Sequence, residues 1–138
     1  MVDKISKKAR SINMGHIRSK DTAPEMIVRK LLYRSGYRYR LHRKDLPGKP
    51  DIVFIGRKKA IFVHGCFWHQ HDSAQCKISR LPKSRTDYWI PKLENNVKRD
   101  RRHQEQLVQH GWKYLVAWEC ETADLQDLTN RIHSFLSD

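Results

Sequence analysis

The stretch from 50 to 76 constrains the fold of this chain more than any other. It reads PDIVFIGRKKAIFVHGCFWHQHDSAQC, two short apolar runs rich in Val, Ile and Phe that are joined by Gly56 and three basic residues. This pattern is typical of a β-hairpin. Because the start of one antiparallel strand lies beside the end of the next, we expect Asp51 to neighbour the segment around His64. A carboxylate and several imidazoles then meet at one edge of the predicted sheet.

Five further segments complete an α/β pattern around this hairpin. A helix begins after Thr22, a typical cap, with Glu25 three residues later. Residues 37–41 alternate apolar and basic side chains, as in a half-buried edge strand. A second helix ending at Gly111, the apolar strand 113–118 and a last helix follow. The order helix, three strands, helix, strand, helix predicts a small mixed sheet with helices packed on its faces.

The chain has 138 residues and a formal net charge of +13, which is unevenly distributed. Residues 1–60 hold 17 Lys and Arg against 5 Asp and Glu, residues 77–103 hold 9 against 3, and residues 104–138 hold 2 against 6. Scattered surface charge is ordinary, but a regional excess with a sequence pI near 10.0 indicates a nucleic-acid partner. A membrane-spanning helix needs about 18 or more consecutive apolar residues, and the sequence has no such run. We therefore expect a soluble intracellular protein.

We expect two parts, a basic N-terminal arm over residues 1–20 that orders on DNA and a single domain over residues 21–138. The arm carries too little apolar surface to fold alone. Within it, Met14 and Ile17 are spaced as on one side of a helical turn. Two interpretations of this pair remain open, a loose tail packed on the core or an apolar wedge that enters a DNA groove.

Cysteine and histidine residues gather in the loop after the hairpin. Cys66, His71 and Cys76 lie within eleven residues, and Cys120 follows the strand 113–118, which returns it to this loop if that strand pairs beside the hairpin. Three thiolates and one imidazole are a typical structural zinc set. The alternative is three buried thiols without a ligand. We expect a closed zinc site that braces the loop.

Histidines beside Asp51 indicate hydrolysis of a phosphodiester. If His71 binds zinc, His64 and His69 remain available near the carboxylate. A carboxylate facing phosphates is repulsive unless a cation lies between them, so Asp51 suggests a bound divalent ion. A histidine would then take the proton from the attacking water. The alternative is a binding module that holds distorted DNA without cutting it.

Aromatic side chains also fall in this loop. Phe67 and Trp68 lie between Cys66 and His69, where burying both is awkward. They either cap the core over the zinc or face DNA and stack on, or wedge between, its bases. We favour the second interpretation, in which Trp89 joins them in one aromatic platform.

The runs PGKPDIVF, IFVHGCFWHQH, NVKRDRR and GWKYLVAWEC closely resemble the very short patch repair (Vsr) DNA mismatch endonucleases. The similarity extends from Asn13 to about Glu121. It implies a bacterial, cytoplasmic enzyme with a restriction-endonuclease-like fold of the PD-(D/E)xK type. Such enzymes nick one strand on the 5′ side of the thymine in T:G mismatches that arise when 5-methylcytosine deaminates. A nuclease of related fold with another DNA target, such as a restriction or defence enzyme, is the alternative.

The resemblance also implies roles for individual residues. Mg²⁺ is bound by Asp51 and by the backbone carbonyl of Val63, a position at which the family often has Thr. His69 is the general base, and His64 and Glu25 support the reacting phosphate and the metal-bound waters. The remaining assignments are the zinc ligands Cys66, His71, Cys76 and Cys120, the aromatics inserted at the mismatch Phe67, Trp68 and Trp89, and the minor-groove contacts Met14 and Ile17.

One departure from the family concerns the zinc site. The interval between His71 and Cys76 is longer than the family pattern, which makes Asp72 an alternative fourth ligand. Carboxylates are less usual in closed structural sites, so we favour Cys76.

Nicking a single strand needs only a monomer, which is the expected state.

Overall fold

Three helices and four strands make up the described part of the chain, in the predicted order. The computed structural model describes residues 21–72, 76, 78–81 and 83–137, so the predicted arm with Met14 and Ile17 lies outside the described residues. In chain order the elements are α1 (Ala23–Arg34), β1 (Arg40–Leu41), β2 (Ile52–Phe54), β3 (Lys59–His64), α2 (Thr86–Gln109), β4 (Lys113–Trp118) and α3 (Leu125–Ser137).

The four strands form one mixed sheet in the order β1-β2-β3-β4. Strands β2 and β3 pair antiparallel, with Ile52 opposite Ile61, which confirms the predicted hairpin. Its connection is a 3-10 turn over Ile55–Arg57. Strand β4 runs parallel to β3, and His64 pairs with Trp118 at the end of the two strands. The segments that follow β3 and β4 therefore leave the sheet side by side.

The edge strand β1 is shorter than the alternation over residues 37–41 predicts. Tyr37 and Tyr39 leave the ladder and pack edge-on against Phe54, with ring centroids 6.2 and 6.4 Å away. His42 has φ 49°, a left-handed conformation that ends the strand after Leu41. Packing of the two tyrosine rings thus replaces strand pairing over residues 37–39.

Helices cover both faces of the sheet, as predicted. Side chains of α1 and α3 pack on one face, and the buried set there is Val28, Leu32, Ile52, Phe54, Ile61, Leu115, Ala117, Leu128, Ile132 and Leu136. On the other face, Leu107 of α2 packs against Val53, Ala60 and Phe62. Ile52 and Val53 point to opposite faces because side chains alternate along a strand. Both faces of the central hairpin are therefore buried.

The start of α1 is set by its cap. The Thr22 hydroxyl accepts a hydrogen bond from the backbone N–H of Glu25 at 3.3 Å, as the sequence predicts. This placement puts Glu25 in the first turn, on the side of α1 that faces the start of β2. Within the described residues, no helix is both long and apolar enough to cross a membrane.

Candidate active site and metal centre

A cleft of about 490 Å³ opens where β2 begins and β3 ends. The hairpin register brings these two points together. Five of the residues proposed from the sequence, Glu25, Asp51, Val63, His64 and His69, line this cleft together with groups that the sequence did not indicate. The ionisable side chains around it include Glu25, Asp51, His64, His69, Arg99, Asp100 and His103.

Asp51 lies immediately before β2 and is bonded to the neighbouring strand. Its Oδ2 accepts a hydrogen bond of 2.7 Å from the backbone N–H of Val63. Burial raises the pKa of Asp51 to about 7, the Val63 N–H opposes this rise, and the charge of Glu25 adds to it. Two neighbouring carboxylates in a buried place favour a cation between or beside them.

The rings of His64 and His69 are stacked in the cleft, with centroids 3.8 Å apart and an angle of 7° between planes. His64 ends β3 and is buried, whereas His69 lies in the loop that follows. Burial lowers the pKa of His64 to about 3, and the proximity of His69 contributes to this shift. His64 is therefore neutral across the physiological range, which avoids two stacked positive charges.

Asp100 holds His69 from helix α2. Its Oδ2 lies 2.5 Å from Nδ1 of His69, so that Nδ1 carries the hydrogen and donates it. Burial by itself raises the pKa of Asp100, but the hydrogen bond and the charge of His69 lower it below its ordinary value. Asp100 thereby fixes the His69 tautomer and leaves Nε2 as the proton acceptor. The sequence analysis did not assign Asp100, although it is the one acidic residue in the run KRDRR.

Glu25 is 2% exposed and points into the protein. Its Oε2 contacts the Arg29 guanidinium and lies 2.8 Å from Nε2 of His42. Arg29 also bonds Asp21 at 2.6 Å. The backbone of Glu25 takes part in the helix cap, but its side chain has charged partners inside the fold. Nothing in the local sequence around Arg29 or His42 predicts these contacts.

The four proposed zinc ligands meet at the other end of the same loop. One ligand atom each from Cys66, His71, Cys76 and Cys120 lies within 4.8 Å of the others. The His71 Nδ1 is 3.7 Å from the sulfur of Cys66 and 3.3 Å from that of Cys120. The parallel pairing of β3 and β4 accounts for this, because it sets the residues after each strand next to each other.

The chemistry of this set fits a metal ion. Burial raises the pKa of the Cys66 thiol to about 12, so a thiolate there needs a nearby cation. Asp72 is exposed and is not part of the cluster, whereas Cys76 is buried within it. The structure therefore places Cys76, and not Asp72, with the other three residues.

The three aromatic residues of the predicted platform are in contact. Ring centroids of Phe67 lie 5.2 Å from Trp68 and 5.4 Å from Trp89, and the two tryptophans are 5.9 Å apart. Each is partly exposed. A second cleft of about 590 Å³ is lined by Phe67, Trp68 and His69, and also by Lys92 and Asn96 of α2. His69 lines both clefts, as do Thr22, Val63 and Arg99.

Comparisons with known proteins identify the family. The family model described as DNA mismatch endonuclease Vsr matches residues 2–75. V.XorIIP, a type II nicking enzyme of Xanthomonas oryzae pv. oryzae, is 52% identical over 136 residues, which are 99% of this chain and 98% of that protein. The chain belongs to the Vsr family. The Escherichia coli DNA mismatch endonuclease Vsr is 40% identical over 130 residues, 94% of this chain and 81% of that protein.

As a Vsr-type nicking endonuclease, the protein acts on DNA and hydrolyses one strand. Its cleft brings together Glu25, Asp51, His64 and His69, the four residues that the Vsr resemblance led us to expect there. The Vsr family implies the use of a divalent metal. In this member of the Vsr family, the cleft adds Asp100 as a partner of the general-base candidate.

Proposed function

We propose that this enzyme is a Mg²⁺-dependent endonuclease that nicks duplex DNA on the 5′ side of the thymine in a T:G mismatch. The single observation that carries the proposal is the cleft in which Asp51 faces the stacked pair His64 and His69. A carboxylate for the metal and an oriented imidazole for the proton are the two parts that hydrolysis of a phosphodiester requires. The proposed setting is the bacterial cytoplasm, with the enzyme acting as a monomer.

The donor set at Asp51 fits Mg²⁺. Hard divalent cations bind carboxylate and carbonyl oxygens, and both are available here. The N–H of Val63 bonds Asp51, and in a strand the N–H and C=O of one residue point to the same side, so the Val63 carbonyl is directed towards Asp51. When bound, the ion stabilises negative charge on the phosphate oxygens.

The proposed proton acceptor is Nε2 of His69. Asp100 binds the opposite nitrogen, so the imidazole presents the lone pair of Nε2 to the cleft. The water oxygen then bonds to phosphorus and its proton passes to His69. The bond from phosphorus to the oxygen of the leaving strand breaks, and that oxygen takes a proton from solvent water. His64 remains neutral and supports the phosphate by a hydrogen bond.

Mismatch recognition is proposed for the aromatic platform of Phe67, Trp68 and Trp89. The rings of Phe67 and Trp68 border the second cleft, and Trp89 packs against both. Bases that an unstacked duplex exposes can stack on such a surface. Asn96 donates a hydrogen bond of 3.1 Å to the backbone carbonyl of Trp68, which holds the loop to α2.

The arm of residues 1–20, with Met14 and Ile17, is proposed to bind the minor groove. Unaltered DNA affinity after deletion of residues 1–19 would contradict the role of the arm.

Zinc is the proposed occupant of the Cys66, His71, Cys76 and Cys120 cluster. Three sulfurs and one nitrogen leave no open position for substrate in a tetrahedral shell, which is typical of a structural site. The proposed role is to brace the loop that carries Phe67, Trp68 and His69. The mixed sheet, with its acidic residue at the start of a hairpin strand, supports assignment to the restriction-endonuclease-like fold.

A nicking assay on matched duplexes tests the proposed function. The substrates are a T:G duplex, the same duplex with C:G, and the single strand, each with and without Mg²⁺. We expect Mg²⁺-dependent cutting of one strand of the T:G duplex and none with Asp51→Asn. Equal cutting of all three substrates would exclude mismatch recognition, and cutting of both strands of the paired duplex would favour the restriction-type alternative.

A further inference from the structure

A partly buried arginine contacts the acidic residue that neighbours Asp51. Arg29 lies one turn after Glu25 on α1, and its side chain is 13% exposed. Its Nη2 contacts Oε2 of Glu25, lies 2.6 Å from Oδ1 of Asp21 and lies 3.2 Å from Nε2 of His42. Two carboxylates and an imidazole thus surround one guanidinium nitrogen. The carboxylates of Asp21 and Glu25 hold the guanidinium, and His42 lies beside it at the same Glu25 oxygen.

His42 approaches the same Glu25 oxygen from the edge strand. Its Nε2 lies 2.8 Å from Oε2, and because an ionised carboxylate only accepts hydrogen bonds, Nε2 must be the donor. The backbone N–H of His42 donates to the carbonyl of Asp51 at 3.0 Å. The two donors that hold Glu25 are therefore attached to α1 and to the segment paired with Asp51, so the Glu25 carboxylate is fixed relative to Asp51.

The contacts of Arg29 indicate that its role is to hold the Glu25 side chain and not to stabilise the fold. Its Nε is buried and has no hydrogen-bond partner among the described residues. Leaving a buried donor unpaired is unfavourable, and a residue that only packed against the core would not need a guanidinium there. The positive charge of Arg29, in contact with Glu25, offsets the repulsion between the carboxylates of Glu25 and Asp51.

We propose that Arg29 is a positioning residue of the nicking reaction, which fixes the Glu25 carboxylate and offsets its charge, so that Asp51 provides most of the negative charge at the metal ion. The inference rests on the proposed function, because it concerns the divalent ion at Asp51. Removing the guanidinium leaves two uncompensated carboxylates beside each other. A divalent cation then binds more tightly, but Glu25 is free to turn towards the ion and no longer holds its place beside the phosphate.

The test measures metal binding and nicking separately on Arg29→Met. Binding of Mn²⁺ alone, without DNA, is followed by the loss of the free-ion electron paramagnetic resonance signal. We expect Arg29→Met to bind Mn²⁺ roughly fivefold more tightly than the wild type, while kcat at saturating Mg²⁺ falls by about tenfold or more. Arg29→Lys retains the charge, so we expect it to restore Mn²⁺ affinity close to that of the wild type.

Two further variants show whether the effect passes through Glu25. Arg34→Met removes an exposed arginine from the last turn of the same helix and is expected to leave Mn²⁺ affinity unchanged. In Arg29→Met/Glu25→Gln both charges are absent, so Mn²⁺ affinity is expected to return to the wild-type value. This double variant also serves if Arg29→Met alone does not fold, because it removes the unpaired buried carboxylate.

Unchanged or weaker Mn²⁺ binding by Arg29→Met would overturn the inference. So would unchanged kcat, or a double variant that binds Mn²⁺ more tightly than the wild type. Asp51→Asn separates this failure from failure of the proposed function. If Asp51→Asn binds Mn²⁺ as the wild type does, the metal assignment itself is wrong; if it loses binding while Arg29→Met changes nothing, only the role of Arg29 is wrong.

Discussion

Burial changes the protonation of two neighbouring residues of the cleft in opposite directions. It raises the pKa of Asp51 to about 7 and lowers that of His64 to about 3, because in each case the charged form loses contact with water. At neutral pH, ionisation of Asp51 lowers the stability of the fold unless a cation lies beside the carboxylate. His64 needs none, since its neutral form is the one that the cleft favours.

The first prediction concerns stability without added Mg²⁺. A carboxyl whose folded-state pKa is raised stabilises the fold below its ordinary value near 3.8, and this contribution is lost as pH rises through about 7. We expect Asp51→Asn to be more stable than the wild type at pH 8 by on the order of 3 kcal/mol. Near pH 4 the two proteins should be alike in urea unfolding.

The control is Asp87→Asn, which removes an exposed carboxylate from the first turn of α2. Its unfolding free energy should stay within about 0.5 kcal/mol of the wild type at both pH values. A constant difference between Asp51→Asn and the wild type from pH 4 to pH 8 would contradict the raised pKa.

The second prediction concerns Asp100. Asp100→Asn keeps the shape of the side chain but can donate to His69 Nδ1, which places the hydrogen on Nε2, the nitrogen that must accept a proton. We expect the single-turnover nicking rate to fall by about 100-fold or more, with DNA affinity little changed. Asp87→Asn again provides the comparison on the same helix. A rate within threefold of the wild type, about 0.6 kcal/mol by the usual rate relation, would mean that Asp100 does not orient the base.

One helix carries several of the residues that surround the two clefts. Helix α2 presents Trp89, Asn96 and Asp100 at intervals of seven and four residues, which places them on one side of the helix. Trp89 meets the aromatic platform, Asn96 holds the Trp68 carbonyl, and Asp100 binds His69. One rigid helix therefore links the proposed base-recognition surface to the proposed general base.

The third prediction tests how closely the turn before β2 approaches α2. Gly48 has φ +78°, and a Cβ there would lie 2.9 Å from the Cβ of His103 and 3.0 Å from the ring of Phe62. Gly48→Ala should therefore lose about 2–4 kcal/mol of unfolding free energy, from backbone strain together with overpacking. Activity should fall as well, because the same turn positions Asp51.

Gly36→Ala is the matched control for this substitution. Gly36 also has a left-handed backbone, φ +90°, but a Cβ there meets no atom within 4 Å. Its loss should be limited to about 1 kcal/mol of backbone strain. Equal losses of unfolding free energy for the two variants, measured by urea unfolding, would mean that α2 and β3 accommodate the added Cβ at position 48 without further loss of stability.

At the scale of the whole molecule, two sites share one loop that begins at the end of β3. After His64 in the cleft, the loop carries Cys66, then the aromatic residues Phe67 and Trp68, and then His69 and His71. The cluster of Cys and His residues places it against Cys120 after β4, and Asn96 and Asp100 join it to α2. A metal ion bound by the cluster would therefore attach the loop to the second of the two elements that hold it.

The fourth prediction is the metal content of the purified protein. We expect about one zinc per chain, Cys76→Ser to lose most of it, and Asp72→Asn to retain it. The thermal unfolding temperature of Cys76→Ser should fall, because binding of metal to the folded state stabilises that state. Full zinc in Cys76→Ser, or less than half an equivalent in the wild type, would contradict the proposed cluster.

Local patterns determined much of this structure. The hairpin over 50–64 followed from two apolar runs and a basic turn, because strand periodicity and turn composition are properties of adjacent residues. The same holds for the Thr22 cap and for the strand 113–118. Since a hairpin register fixes which residues face each other, the sequence also predicted that Asp51 would neighbour His64.

Only the tertiary structure decided which distant side chains complete the cleft. Asp100 meets His69 across 31 positions, and His42 meets Glu25 across 17. Neither residue differs in its local sequence from an ordinary surface residue, because one sits in a basic helix and the other at the end of a basic strand. Tyr37 and Tyr39 likewise left the predicted strand for contacts with Phe54. Periodicity describes the chain's own neighbours, whereas these partners were set by how α1, α2 and the sheet pack together.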